Sequence, residues 1–159
     1  MSRVSVTLTY PGATVDKVAA MLLTPSFRES VCAADKHALG AEVGLAGTTI
    51  TIDQRQSVGN IPGFAKKFVG DELRIVQVER WNGARADVDV TIPGKPGQIR
   101  GTANLRQDGD TVVEQVELDV EVKIPLVGGK IATLIGDQLR DVLTNEQRLG
   151  RQWLEGEQR

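Results

Sequence analysis

The chain has 159 residues, 40% hydrophobic and 25% charged, with a net charge of −2; this suits a soluble domain long enough to bury a core, and one domain over 1–159 is expected. The charge balance lacks the basic footprint of a nucleic-acid binder, and three Phe, two Trp and one Tyr are too few for a base-stacking platform. No apolar run approaches a membrane span, the first ten residues alternate instead of forming the apolar stretch of a signal peptide, and the one cysteine, Cys32, excludes an internal disulfide. The expected location is the cytoplasm, with no stable membrane insertion and no nucleic-acid partner.

Residues 3–10 place Val4, Val6, Leu8 and Tyr10 on one face and Arg3, Ser5, Thr7 and Thr9 on the other, the pattern of a half-buried strand. Pro11-Gly12 ends it. Thr14 can cap a short helix carrying Val15, Val18 and Leu22, which Pro25 stops. Ser26 to Glu29 reads as a capping box opening a second short helix with Phe27, Val31 and Ala34 inward.

After residue 40 the period becomes two. Residues 48–58 carry Ile50 and Ile52 on one face; 59–70 reads as a loop holding Ile61, Phe64 and Phe68 with Lys66 and Lys67. Residues 72–81 form a strand with apolar residues on both parities, so its register stays open. Asn82-Gly83 is a hairpin signal, and 84–92 then turn Ala84, Ala86, Val88, Val90 and Ile92 inward. Residues 99–106 turn Ile99, Ala103 and Leu105 inward, and Asp108-Gly109 is a second hairpin signal. Residues 111–124 alternate, with Val112, Val116, Leu118, Val120, Val122 and Ile124 inward. From about 129 to 154 the period is helical, with Ile131, Leu134, Ile135, Gln138, Val142, Leu149 and Trp153 along one side.

The order is therefore a strand, two short helices, a run of antiparallel strands and one long helix. A sheet with one apolar face must cover that face, and only the last helix is long enough. About 25 residues at 1.5 Å rise span roughly 38 Å, enough to cross six or seven strands about 4.8 Å apart. Gly128-Gly129 is the expected point of reversal that lays the helix on the sheet. The expected class is α+β: a curved antiparallel sheet of six to seven strands around a long C-terminal helix, with two short helices after the first strand.

This order, together with PGFAKKFVGDELRIVQVERW at 62–81 and IPLVGGKIATLI at 124–135, resembles the START-like superfamily. That group is also called SRPBCC, the polyketide-cyclase and lipid-transport proteins of the helix-grip fold; the similarity points to a branch known only as a domain of unknown function. The resemblance implies a deep apolar cavity between sheet and helix for a hydrophobic molecule. Some members are enzymes, but no motif here matches one, so no catalytic residue is carried over.

The residues themselves offer little chemistry. GGKIAT at 128–133 fails the phosphate-loop pattern, because Ile124 and Ile131 stand where glycine and serine or threonine are required. One histidine, His37, and one cysteine cannot furnish a four-ligand zinc site, so no metal or cofactor is expected. His37 reads as a loop residue and Cys32 as packing. More informative are polar residues at inward positions: Gln54 and Gln56 beyond Ile52, Glu114 before Val116, and Gln138 on the last helix. They are either polar anchors in a cavity or residues at strand ends already wet. The loop with Phe64 and Phe68 reads either as an apolar lid with a basic edge or as ordinary core.

The expected function is binding of a hydrophobic small molecule, lipid-like or polyketide-like, beneath the last helix. The candidate binding residues are Ile52, Gln54, Phe64, Phe68, Val88, Val90, Ala103, Leu105, Leu118, Val120, Ile131, Ile135, Gln138 and Val142. Two alternatives stand beside it: a cyclase- or hydratase-type enzyme using Glu114 or Glu79 in the same pocket, and a protein-interaction module with a filled core. The sequence is compatible with a homodimer and does not derive one.

Overall fold

The structure is a computed structural model that describes residues 2–59 and 61–157. Its elements run β1 (Ser2–Pro11), α1 (Val15–Leu22), α2 (Pro25–Ala33), β2 (Ala38–Ala46), β3 (Thr49–Ser57), α3 (Gly63–Val69), β4 (Glu72–Asn82), β5 (Arg85–Thr91), β6 (Gly97–Asp108), β7 (Thr111–Val122) and α4 (Gly128–Glu157). The seven strands form one antiparallel sheet in the order β1-β7-β6-β5-β4-β3-β2. From β2 to β7 the chain is a meander, and β1 closes the far edge beside β7. Helices α1 and α2 must therefore carry the chain from one edge of the sheet to the other. The expected α+β helix-grip architecture is the one observed.

Local chemistry explains most of the boundaries. Thr14 Oγ1 accepts from Lys17 N at 3.3 Å and caps α1. Helix α2 begins one residue before the expected capping box: Pro25 occupies its first turn, where its missing N–H costs nothing, and Thr24 is the cap. Both hairpin signals act, with Gly83 (φ 64) and Gly109 (φ 62) each opening a two-residue loop.

Two expectations are corrected, and one strand, β2, was not anticipated. The stretch 59–70, read as a loop, contains α3, a short helix with Ala65 buried and Gly70 (φ 72) ending it; Asn60 lies outside the described residues. The density of Gly and Pro around so short a helix hides its period. Strand β2 shows no alternation in the sequence because it is an edge strand whose residues are exposed or half-buried, Gly40 and Gly44 among them. The reversal into α4 is made by Leu126, which is fully exposed with φ 70, and not by the glycine pair. Gly128 serves close approach instead, since a Cβ there would sit 2.4 Å from the carbonyl oxygen of Val122.

A Cβ on Gly101 would lie 1.8 Å from the Glu117 carbonyl oxygen, so only glycine lets β6 press so closely on β7. Helix α4 lies along β1 and β7, where Gly136 meets Val4 and Gly150 meets Tyr10, and α2 lies over β2 and β3. The two helices join through Phe27 and Trp153, whose rings meet edge to face with centroids 5.4 Å apart. Between them, the middle strands are left partly uncovered. Among the described residues no helix is long and apolar enough to cross a membrane.

Candidate functional site

The uncovered middle of the sheet is a cavity of about 80 Å³. Its floor is apolar, with Val88 and Val90 from β5, Ala103 from β6 and Val116 and Leu118 from β7, while Leu139, Val142 and Leu143 of α4 form the roof. Ile52, Gln54 and Gln56 of β3 and Asp35 beyond α2 line another side. There Gln56 Nε2 reaches Gln54 Oε1 at 3.1 Å and Asp35 Oδ2 at 3.4 Å.

The remaining wall is charged. The β4 register, open from sequence, sets Gln77 and Glu79 opposite Val90 and Val88, so that both polar side chains face inward. Arg28 of α2 meets Glu79 in a buried bidentate pair at 2.5 and 3.2 Å, and its Nη1 also donates to the Leu22 carbonyl at 3.2 Å. Trp81 Nε1 donates to Glu79 at 3.0 Å and the Gln77 amide donates as well. Glu146 of α4 completes the group with an ion pair to Arg28 at 3.7 Å. One guanidinium thus ties together α2, β4 and α4. Burial alone would lower the Arg28 pKa, but Glu79 and Glu146 outweigh it and leave it raised.

Glu114 of β7 is different. It is 4% exposed and lines the cavity, yet its Oε1 has no hydrogen-bond partner. The buried Tyr10 hydroxyl interacts with the Glu114 carboxyl and opposes its protonation, although neither Tyr10 Oη nor Glu114 Oε1 completes a hydrogen bond of regular geometry. Loss of solvent, then the nearby Glu146 and Glu79, hold the Glu114 carboxyl well above the ordinary carboxylate range. Burial likewise raises Glu146, with Arg28 opposing. The Tyr10 hydroxyl is raised by burial and by the same acids, and burial raises the Cys32 thiol. The site in this state therefore favours neutral acid forms that can donate a hydrogen bond as well as accept one.

Of the residues expected to bind a ligand, Ile52, Gln54, Val88, Val90, Ala103, Leu118 and Val142 line the cavity. Leu105 lies beside Glu114 in the register and Val120 pairs with Ser2 and Ile99 farther along β7; both are in closed core. Ile131 is buried and Ile135 half-buried near the start of α4, away from the cavity lining. Gln138, expected on the apolar side of the helix, is exposed. Phe64 and Phe68 sit on α3 and do not line the cavity: Lys130 Nζ stands 5.8 Å over the Phe64 ring, and Phe68 is 36% exposed. Glu114 is not a wet strand end, because β1 and β6 flank it with Leu8 and Leu105. Residues the sequence did not single out are Arg28, Glu146 and Tyr10. The only available signal for Arg28 was its place beside Phe27 on a short helix. Among the described residues no cluster of His, Cys, Asp and Glu is arranged to hold a metal ion.

The sequence model of a family described as "Protein of unknown function (DUF2505)" matches residues 5–154. The chain belongs to this family. Rv0481c, an uncharacterized protein of Mycobacterium tuberculosis, is 30% identical over 125 residues, covering 73% of this chain and 71% of that protein. Two solved structures share the fold. TTHA0849 from Thermus thermophilus superposes with a TM-score of 0.66 at 16% identity, covering 94% of this chain and 97% of that one. A START superfamily protein from Mycobacterium smegmatis gives 0.61 at 14% identity, with 95% and 98% covered. The resemblance to START-like proteins carried by residues 62–81 and 124–135 is thus borne out, including the branch.

Proposed function

We propose that this family member binds a small, mainly apolar molecule in the cavity between the sheet and α4, as one domain acting in the cytoplasm. One observation carries the reading: apolar walls converge on a buried carboxyl, Glu114, that lines the cavity and has an unpartnered oxygen. Buried polar atoms are normally paired, and exceptions call for an occupant or a role. At about 10–15 Å³ per water-sized centre, a cavity of about 80 Å³ takes roughly five to eight non-hydrogen atoms. That size supports a small ligand, or the small end of a larger one, ahead of a whole lipid or polyketide. The START-like fold is consistent with this reading.

Native mass spectrometry of freshly purified protein tests it. A bound molecule is expected that disappears in Val88→Trp, whose indole would occupy the same floor. Unliganded protein that also fails to bind any apolar probe would refute the reading. A second reading, acid catalysis, gains support from Glu114 alone, since a buried protonated carboxyl in a cavity is placed as a general acid. It predicts that a co-purified molecule is converted by the parent protein and left unchanged by Glu114→Gln.

A further inference from the structure

The polar wall of the cavity has more acceptors than donors. Arg28 and Glu79 satisfy each other: the guanidinium gives Glu79 two hydrogen bonds, and Trp81 and Gln77 supply more. What remains is Glu146, whose one ion pair is the 3.7 Å approach of Arg28, and Glu114, whose Oε1 completes no hydrogen bond. Glu114 and Glu146 line the same cavity from opposite sides, one on β7 and the other on α4. Without a cation beside them, burial favours the protonated forms of Glu114 and Glu146; a cation between them would let both ionise and would supply the positive charge that one guanidinium cannot give three carboxylates.

We infer that this end of the cavity receives the ammonium group of a small primary amine, with Glu114 and Glu146 as its acceptors. An ammonium carries three N–H donors and no acceptor, which matches the two carboxyls in kind. A hydroxyl brings a single donor, a quaternary ammonium none, and a carboxylate would add negative charge to a buried acidic group, which is costly. The body of the amine lies on Val88, Val90 and Leu118, and the cavity volume limits it to a short aliphatic chain or one small ring. The inference rests on the cavity being a ligand site and specifies what enters it.

Isothermal titration of the intact protein at pH 7.5 with n-hexylamine, 1-hexanol and hexanoate separates the two claims. Charge-assisted hydrogen bonds are about twice as strong as neutral ones, so hexylamine is expected to bind at least about tenfold more tightly than hexanol, with hexanoate weakest. Glu114→Gln and Glu146→Gln are each expected to remove most of that preference. Hexanol binding as tightly as hexylamine would overturn the amine assignment and leave the cavity reading standing. Binding of none of the three would overturn both. If Glu114→Gln does not fold, the comparison in the parent protein and the Glu146→Gln variant still decide.

Discussion

Glu114 shows what one side chain can impose on stability. Its pKa is raised in the folded protein, above the ordinary value of about 4.3 that it regains on unfolding. The native state therefore holds the proton more tightly. Its favourable contribution is present in full below about pH 4.3 and is lost as pH rises through the folded value. Glu146 shifts the same way. Urea midpoints measured from pH 4 to 8 should fall with pH in the parent protein and fall less steeply in Glu114→Gln; parallel slopes would show that Glu114 is not the protonated group. In the sequence Glu114 was visible as an inward position, because its parity matches Val116 and Leu118. Its dryness was not, since that depends on Leu8 and Leu105 in two other strands.

At the level of elements, α2 and α4 show where reading a pattern stops. The sequence places the apolar side of α4 on Ile131, Leu134, Gln138 and Val142. Ile131 is buried, Ile135, Leu149 and Trp153 pack on the core and Val142 lines the cavity, but Gln138 is exposed, and the most closely packed stripe runs through Gly128, Ala132, Gly136, Glu146 and Gly150, all buried. The two stripes differ by roughly a quarter turn at 100° per residue. Hydrophobic periodicity weighs large side chains, while the closest contacts are made by residues with almost none. Glu146 follows Gly128 by 18 residues, about five full turns, so the tight seat of Gly128 against Val122 also aims Glu146 at the cavity. Helix α2 makes the matching contact through Arg28. Breaking a buried pair by removing one partner typically costs about 3–5 kcal/mol, so Arg28→Met should lower the unfolding free energy by about that much. An unchanged denaturant midpoint would show that the guanidinium does not hold α2, β4 and α4 together.

Across the whole molecule, the run of antiparallel strands and the long helix follow from turn residues, strand alternation and helical spacing, and were legible as such; the order of strands in the sheet was not read from the sequence. The charged wall of the cavity was not, because it is assembled from α2, β4, β7 and α4, which no local pattern links. Val88→Trp tests the hollow centre directly. In a filled core, overpacking costs about 1–3 kcal/mol; with an 80 Å³ cavity beside Val88, stability should change by less than about 1 kcal/mol while binding of a hydrophobic probe falls. A large loss of stability combined with no probe binding by the parent would return the molecule to the interaction-module alternative. The pairing of β1 with β7 also has a kinetic consequence. Ser2 to Pro11 finds its partners only at Thr111 to Val120, so the first strand made waits for the last one. Contacts so distant in sequence slow folding and leave an unpaired edge while the chain is being synthesised.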